Sequence, residues 1–368
     1  MVALFGGAEA NAAVAAEGAP VFANHTEGYA CFRIPAVIRT PSGTLLAFAE
    51  ARRNSCNDFG DVRIVMRRSR DEGKTWGALE TVAENGTLQA GNPAPVVDTL
   101  DRRYRHGRIL LIYCTGDAPE DAVMRGQGTR RIWYRASTDD GATWSQPAEI
   151  TSGAKLPSWR HYATGPGHAL QLAHGPHAGR IVVAANHSEG DPQPQGHDYT
   201  AHAFYSDDHG ATWHLMPTVP YPGGNESTAA QNRDGDVVMN IRDQSRQSHA
   251  RVIAIGDAKS FMWNNVFVAH DLPDPVCEGS MIAYGDLLLF SNPGSSTDRR
   301  DLTVSVSRDG GHTWPTRTLV APGDAAYSDI VALKHRQLGI LWEKGNAGGI
   351  FFMSQPFALL LRGKAEAQ

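Results

Sequence analysis

Short runs of β-branched and large apolar residues, divided by Gly, Pro, Asp and Asn, recur along this chain, and sustained helical periodicity is nearly absent. Six runs stand out: Arg63-Ile-Val-Met-Arg67, Arg108-Ile-Leu-Leu-Ile-Tyr113, Arg180-Ile-Val-Val-Ala184, Asp236-Val-Val-Met-Asn-Ile241, Asp286-Leu-Leu-Leu-Phe290 and Leu338-Gly-Ile-Leu-Trp342. Each reads as an interior strand, because a short unbroken apolar run suits a strand covered on both faces. The 38 Gly and 21 Pro among 368 residues leave little room for helices.

Between the runs, one eight-position pattern occurs four times: Ser69-x-Asp71-x-Gly73-x-Thr75-Trp76, Ser137-x-Asp139-x-Gly141-x-Thr143-Trp144, Ser206-x-Asp208-x-Gly210-x-Thr212-Trp213 and Ser307-x-Asp309-x-Gly311-x-Thr313-Trp314. It has the chemistry of a tight hairpin: Asp accepts backbone N–H bonds across the turn, Gly takes a positive φ, and Trp covers the base of the strands. These boxes are expected to be architectural and to stay clear of any substrate. Their spacings are 68, 69 and 101 residues, and the long gap holds a decayed fifth unit running from Arg251 through Asp257 to Trp263.

Repeats of roughly fifty residues predict an all-β fold, a six-bladed β-propeller of four-stranded antiparallel blades closed by the two termini pairing in the last blade. Residues 1–20 form an Ala-rich segment expected to be poorly ordered, 21–362 a single propeller domain, and 363–368 a tail. No Ser/Gly/Pro-rich or charged tract separates the chain into halves.

A net charge of -5 and the lack of a basic face exclude a nucleic-acid partner. No run of 18 apolar residues exists, so no membrane span is expected. Glu9 and Glu17 interrupt the N-terminal segment, which makes a poor signal peptide as it stands. The four cysteines are too few for a disulfide scaffold and too widely spaced for zinc. Cys31 and Cys56 flank two segments assigned below to one site, which suggests a disulfide between them. His168, His174 and His177 sit in a Gly/Pro loop without metal-ligand register and read as loop histidines.

The residues suited to chemistry are scattered about once per repeat, as a site at the mouth of a propeller channel requires. Cys31-Phe-Arg33-Ile-Pro-Ala36 places an Arg in an apolar strand entry, and Phe48 to Asp61 is a strand followed by a polar loop with two Arg and two Asp. Later come Gly224-Asn225-Glu226-Ser227, Asn240-Ile-Arg242, Thr297-Asp-Arg299-Arg300-Asp-Leu302, Ala326-Tyr327-Ser328 and Trp342-Glu343. Taken singly, each reads as an ordinary surface or loop residue. Together, Phe32-Arg33-Ile34-Pro35 and the repeated Asp boxes resemble the exo-sialidases (neuraminidases), especially the secreted bacterial ones, from about Tyr29 to Glu343. Asp boxes alone occur in other propellers; the Phe-Arg-Ile-Pro start makes the resemblance specific.

The resemblance implies that Arg33, Arg242 and Arg299 bind a substrate carboxylate, that Asp58 is the acid/base, and that Glu226 and Tyr327 are base and nucleophile. Glu343 is expected to orient Arg33, Arg52 to lie near the four-position of the sugar, and Asn92 to contact the same region or the N-acetyl group. Arg299 is preferred to Arg300 by its distance from Leu302, and Asp58 to Asp61 by spacing.

Sialic acid carries a carboxylate on its anomeric carbon, so the site must hold an anion beside the reacting centre, and guanidinium forks suit that. A neutral Tyr hydroxyl avoids the like-charge repulsion that a carboxylate nucleophile would meet there. Asp58 must then be buried or flanked by apolar groups to stay protonated, with Phe59 as a contributor. The expected function is an exo-α-sialidase that hydrolyses terminal sialic acid from glycoproteins, glycolipids or oligosaccharides with retention. It needs no cofactor and no catalytic metal, although loop carboxylates leave a structural calcium open. A monomer, secreted or extracellular, is expected, with the cytoplasm as the alternative. Rival readings are a trans-sialidase on the same site, an enzyme for deaminated sialic acid, and a non-catalytic Asp-box propeller that binds glycans.

Overall fold

Each of the six apolar runs falls on a strand in the computed structural model, which describes residues 19–345 and 348–362. Most of the expected N-terminal segment and the 363–368 tail lie outside the described residues. Among the described residues the helices are single turns: Glu120–Met124, Thr151–Ala154 and Phe357–Leu360, with two 3-10 turns.

Hydrogen bonding groups the strands into five sheets. The first holds eight strands: Cys31–Arg39, Leu45–Arg52, Val62–Ser69 and Glu80–Ala83, then Gln89–Asp98, Arg108–Gly116, Arg130–Ser137 and Ala148–Glu149. These are two antiparallel runs of four, joined by one parallel pair, Val62 with Gln89. The next sheet contains Trp159–Thr164, Leu170–Gln171, Ile181–Glu189, Tyr199–Ser206 and His214–Leu215. A four-stranded sheet follows from Gly224–Gln231 through Val237–Asp243 and Ala250–Gly256 to Trp263–Pro273, and another from Ser280–Tyr284 through Leu287–Pro293 and Arg300–Ser307 to Thr316–Asp324. The last has Ser328–Leu333, Gln337–Glu343 and Ile350–Pro356.

The innermost strands pack side by side in chain order, and Ser328–Leu333 returns to lie against Cys31–Arg39, so the ring closes on itself. This is an all-β propeller. Val21 and Phe22 bond to Ile350 at the start of the last strand, so the beginning of the propeller domain pairs with the C-terminal sheet. With sheets stacked on both sides, interior strands bury both faces; Leu45–Arg52 is buried along its whole length.

Each Asp box forms the turn between the last two strands of its four-strand run, and all four share one bonding pattern. In the first, Asp71 Oδ1 accepts the Thr75 amide at 2.9 Å, Asp71 Oδ2 accepts the Thr75 hydroxyl at 2.6 Å, and the Ser69 hydroxyl oxygen accepts the Gly73 amide at 2.8 Å. Gly73, Gly141, Gly210 and Gly311 have φ of 86°, 79°, 86° and 103°, the left-handed region that favours glycine. The Trp side chains pack one run of strands against the preceding one: Trp76 meets Phe352 edge-on, Trp144 of the second run of the eight-stranded sheet meets Phe48 of the first, and Trp213 packs against Tyr134. The decayed unit is a turn of the same kind, with Asp257 Oδ1 accepting the Lys259 and Ser260 amides.

His168 lies in a loop, as its sequence context predicts, between the strands Trp159–Thr164 and Leu170–Gln171. The turn Gly165-Pro166-Gly167 carries it to the centre of the ring, where it is largely buried and its Nδ1 lies 2.6 Å from Asp329 Oδ1. Asp329 also accepts the amide of Val37 at 2.7 Å and the hydroxyl of Ser280 at 2.5 Å, so three sheets meet at one buried carboxylate.

Candidate functional site

Irregularities in the innermost strands aim the polar side chains into the channel mouth. Register shifts fall between Arg33 and Ala36, between Gly91 and Ala94, and between Gly224 and Ser227. Each shift breaks strict side-chain alternation, so a strand otherwise committed to apolar packing can turn a polar residue inward. Ile34 and Asn92 sit at these points with φ of 60° and 54°.

The centre of the site is Tyr327, just before the strand Ser328–Leu333. Its hydroxyl lies 2.7 Å from both Glu226 carboxylate oxygens, and Arg242 Nη1 donates to it at 3.0 Å. Arg242 also pairs with Glu226 at 2.5 Å. The guanidinium carbons of Arg33 and Arg299 stand 5.2 and 5.4 Å from the centroid of the Tyr327 ring. Three guanidinium groups, one carboxylate and one phenol thus converge from four sheets. Arg33 is held by Glu343, whose Oε1 accepts from both Arg33 Nε and the Ile34 amide at 2.7 Å. Arg299 is oriented by the Val276 carbonyl at 2.9 Å. Arg300 is exposed and pairs with Asp301 at 2.9 Å.

Burial pushes the Tyr327 hydroxyl well above the usual phenol range and Glu226 adds to this, against the pull of Arg242 and Arg299, so the resting side chain is neutral. Burial alone would lower the Arg33 pKa, but Glu343 and Tyr327 outweigh it and hold that guanidinium charged.

A cavity of about 290 Å³ opens at Tyr327, with Glu226, Arg242, Ile34, Arg52, Asp58 and Asn92 in its lining. None of the four Asp boxes contributes to it. The disulfide between Cys31 and Cys56 is formed, and it ties the strand that carries Arg33 to the loop that carries Asp58. Asp61 instead pairs with Arg53 and Arg63.

The environment required of Asp58 is not met. Its side chain is 79% exposed and pairs with Arg52 Nη1 at 2.7 Å. Residues 53–58 are all exposed and Phe59 is only half-buried, so the burial expected for Asp58 does not arise.

Glu50 was not singled out from the sequence, yet it organises this side of the site. It is buried, its Oε2 accepts from Arg52 Nη2 at 2.7 Å and Nε at 3.1 Å, and its Oε1 accepts the Asn92 amide at 2.9 Å. Burial, opposed by Arg52, raises its pKa above the ordinary carboxylate value. Its position two residues before Arg52, on the same strand face, is the signal that could have found it. Glu120, Arg130 and His161 also line the cavity and were likewise missed. They come from a one-turn helix, a strand start and the neighbouring sheet, and the packing of that sheet on the helix and strand brings them together.

Residues 43–340 match the model of the BNR repeat-like domain. The chain is 32% identical over 342 residues to a sialidase of Micromonospora viridifaciens, covering 88% of this chain and 51% of that one, so it spans about half that relative's length. It is 31% identical over 308 residues to an exo-alpha-sialidase of Aspergillus fumigatus (77% and 69% covered) and 30% identical over 350 residues to sialidase-2 of Cricetulus griseus (88% and 91%). Among solved structures, the Hadza microbial sialidase Hz136 superposes with a TM-score of 0.79 at 27% identity over 93% of this chain and 68% of that one. The family match over residues 43–340, with fungal and mammalian sialidases covered over more than two thirds of their length, leads to one conclusion: the chain belongs to the sialidase family.

Proposed function

We propose that this protein is an exo-α-sialidase that releases terminal sialic acid from glycoconjugates with retention, through a covalent bond between Tyr327 and the anomeric carbon. The observation that carries the reading is the Tyr327 hydroxyl, bonded to Glu226 and ringed by Arg33, Arg242 and Arg299. The arginines hold the carboxylate and so fix the anomeric carbon over Tyr327. As the Tyr327 oxygen attacks, Glu226 takes its proton and Asp58 gives one to the departing glycosidic oxygen. Asp58 then takes a proton from water, the water oxygen attacks the same carbon, and Tyr327 leaves with the proton returned by Glu226. Two inversions give retention. Because Asp58 is open to solvent, the aglycone is the group that would enclose it in the complex.

The same reading counts six blades, taking the eight-stranded sheet as two runs of four, and puts the protein in an oxidising, extracellular setting. The disulfide supports the latter. The test is turnover: purified protein should release fluorophore from a fluorogenic sialoside between about pH 4 and 8, and free sialic acid should exceed transfer to added lactose. A sialoside left intact throughout that range would contradict the proposal.

A further inference from the structure

Tyr327 is seated by a segment that contributes nothing to the cavity lining. Residues 277–280 hold residues 327–330 through side chains. Cys277 packs in one apolar cluster with Tyr327, and Glu278 Oε2 accepts the Ser328 amide at 3.1 Å. The Ser280 hydroxyl accepts the Ile330 amide at 3.2 Å and donates to Asp329 Oδ1 at 2.5 Å. Of these contacts, the one from Glu278 grips the backbone next to the proposed nucleophile.

Glu278 is 1% exposed, and its Oε1 has no hydrogen-bond partner. That oxygen faces the same bare Cα as Asp329 Oδ1: a Cβ added to Gly167 would lie 3.5 Å from each. The charged groups around Glu278 are Asp329, itself paired with His168, Glu226 on Gly224–Gln231, and Arg251 on Ala250–Gly256. Two of them are carboxylates. The cation is committed elsewhere, since Arg251 donates to Asn240 Oδ1 at 2.7 Å and to the Cys277 carbonyl. An anion at Glu278 would thus have the Ser328 amide to bond it and two like charges to oppose it. Burial first, then Asp329 and Glu226, push its pKa well above the ordinary carboxylate range, and the Ser328 amide and Arg251 do not offset them.

We propose that Glu278 is a positioning residue for the nucleophile and serves only as the neutral acid: with a proton on Oε1, it holds the Ser328 amide and keeps the Tyr327 hydroxyl within reach of Glu226. Ionised, it would be a buried charge beside Asp329 and Glu226, and residues 277–280 would have to open to water to solvate it. Tyr327 would then lose the seat that Cys277 and the Ser328 amide give it. Activity therefore ends, as pH rises, where Glu278 gives up its proton. Glu278 is absent from the cavity lining, so it acts through Tyr327 and not on the substrate. This rests on the sialidase reading above.

The test compares the pH profiles of kcat/KM for the full chain, Glu278→Gln and Glu278→Ala, each checked for folding by circular dichroism. The substrate is a fluorogenic sialoside whose aryl leaving group departs without a proton, so that Asp58 does not govern the alkaline side. Gln keeps an acceptor for the Ser328 amide and cannot ionise. It should retain most of kcat/KM at about pH 5 and stay active about one pH unit beyond the alkaline limit of the wild type. Ala keeps no acceptor and should lose about tenfold or more at every pH. A second measurement needs no turnover. Above 4.5 the unfolded chain releases the Glu278 proton while the folded chain keeps it, so stability is lost as pH rises. The urea midpoint of the wild type relative to Glu278→Gln should therefore fall over that range. A Gln variant with the alkaline limit of the wild type, an Ala variant as active as the wild type, or a midpoint difference constant with pH overturns this inference while leaving the sialidase reading intact. A wild type that cleaves no sialoside at any pH overturns that reading and the positioning role with it, and the midpoint still reports whether Glu278 is the neutral acid.

Discussion

One oxygen of Glu343 accepts both the Arg33 side chain and the next backbone amide, each at 2.7 Å, across 310 and 309 residues of sequence. The first and last sheets of the ring are thereby joined at the site itself. Glu343→Ala leaves a nearly buried guanidinium and an amide without their acceptor, a change expected to cost about 3 kcal/mol. Glu343→Gln keeps an acceptor and should retain most of that stability, with a raised KM as Arg33 loses its fixed aim. Urea unfolding of both variants checks the first expectation, and steady-state kinetics of the Gln variant the second; an alanine variant as stable as the wild type would contradict it.

The Cys31–Cys56 disulfide closes a sequence separation of 25 residues and anchors the loop that carries Asp58. Cys56→Ser should lose about 3 kcal/mol. It should also depress turnover more than substrate binding, because the freed loop no longer presents Asp58. Denaturation with and without a thiol reductant measures the stability part, and the kcat to KM split measures the other.

His187 is buried and stacked on Trp159 with centroids 3.5 Å apart. Burial, helped by Lys155 and His161, pushes its pKa down to about 3 from 6.5. The sign is set by linkage: above 6.5 neither folded nor unfolded chain holds the proton, while below it the unfolded chain alone takes one up. Stability should therefore fall as pH drops from 6.5 towards 3. His187→Asn should flatten that slope, read as the urea midpoint against pH; an unchanged slope would show that His187 is not a contributor.

The boxes are structural, and that is separable from activity. Asp208 accepts the Thr212 amide at 2.8 Å and hydroxyl at 2.6 Å, and the turn seats Trp213 between sheets. Asp208→Ala should lower the melting temperature while leaving kcat/KM at a permissive temperature within about twofold of wild type. A large loss of kcat/KM in a fully folded variant would contradict the separation.

What the sequence made legible follows from what is local. Box turns depend on contacts between residues two and four apart, so the bond from the Thr75 amide to Asp71 could be foreseen, as could the interior strands from their apolar runs. The convergence of Arg33, Glu226, Arg242, Arg299 and Tyr327 was legible only through resemblance, because no local pattern relates Glu226 to Tyr327 over 101 residues. Exposure of Asp58 was misread because it depends on what the fold packs over a loop. Polar loop composition does not encode that. Glu120, Arg130 and His161 escaped notice because each lies in an unremarkable local context, and their meeting depends on how neighbouring sheets pack.

The central claim is that Tyr327 forms the covalent bond. It is tested most directly by incubating the protein with a 2,3-difluoro sialic acid, then quenching and mapping the peptides by mass spectrometry. The electron-withdrawing fluorine at C3 slows release more than attack when the leaving group at C2 is fluoride, so the intermediate accumulates. The account predicts the sugar mass on the peptide carrying Tyr327, absent in Tyr327→Phe. A sugar adduct on Glu226, or sialoside turnover with no adduct on Tyr327, would contradict it.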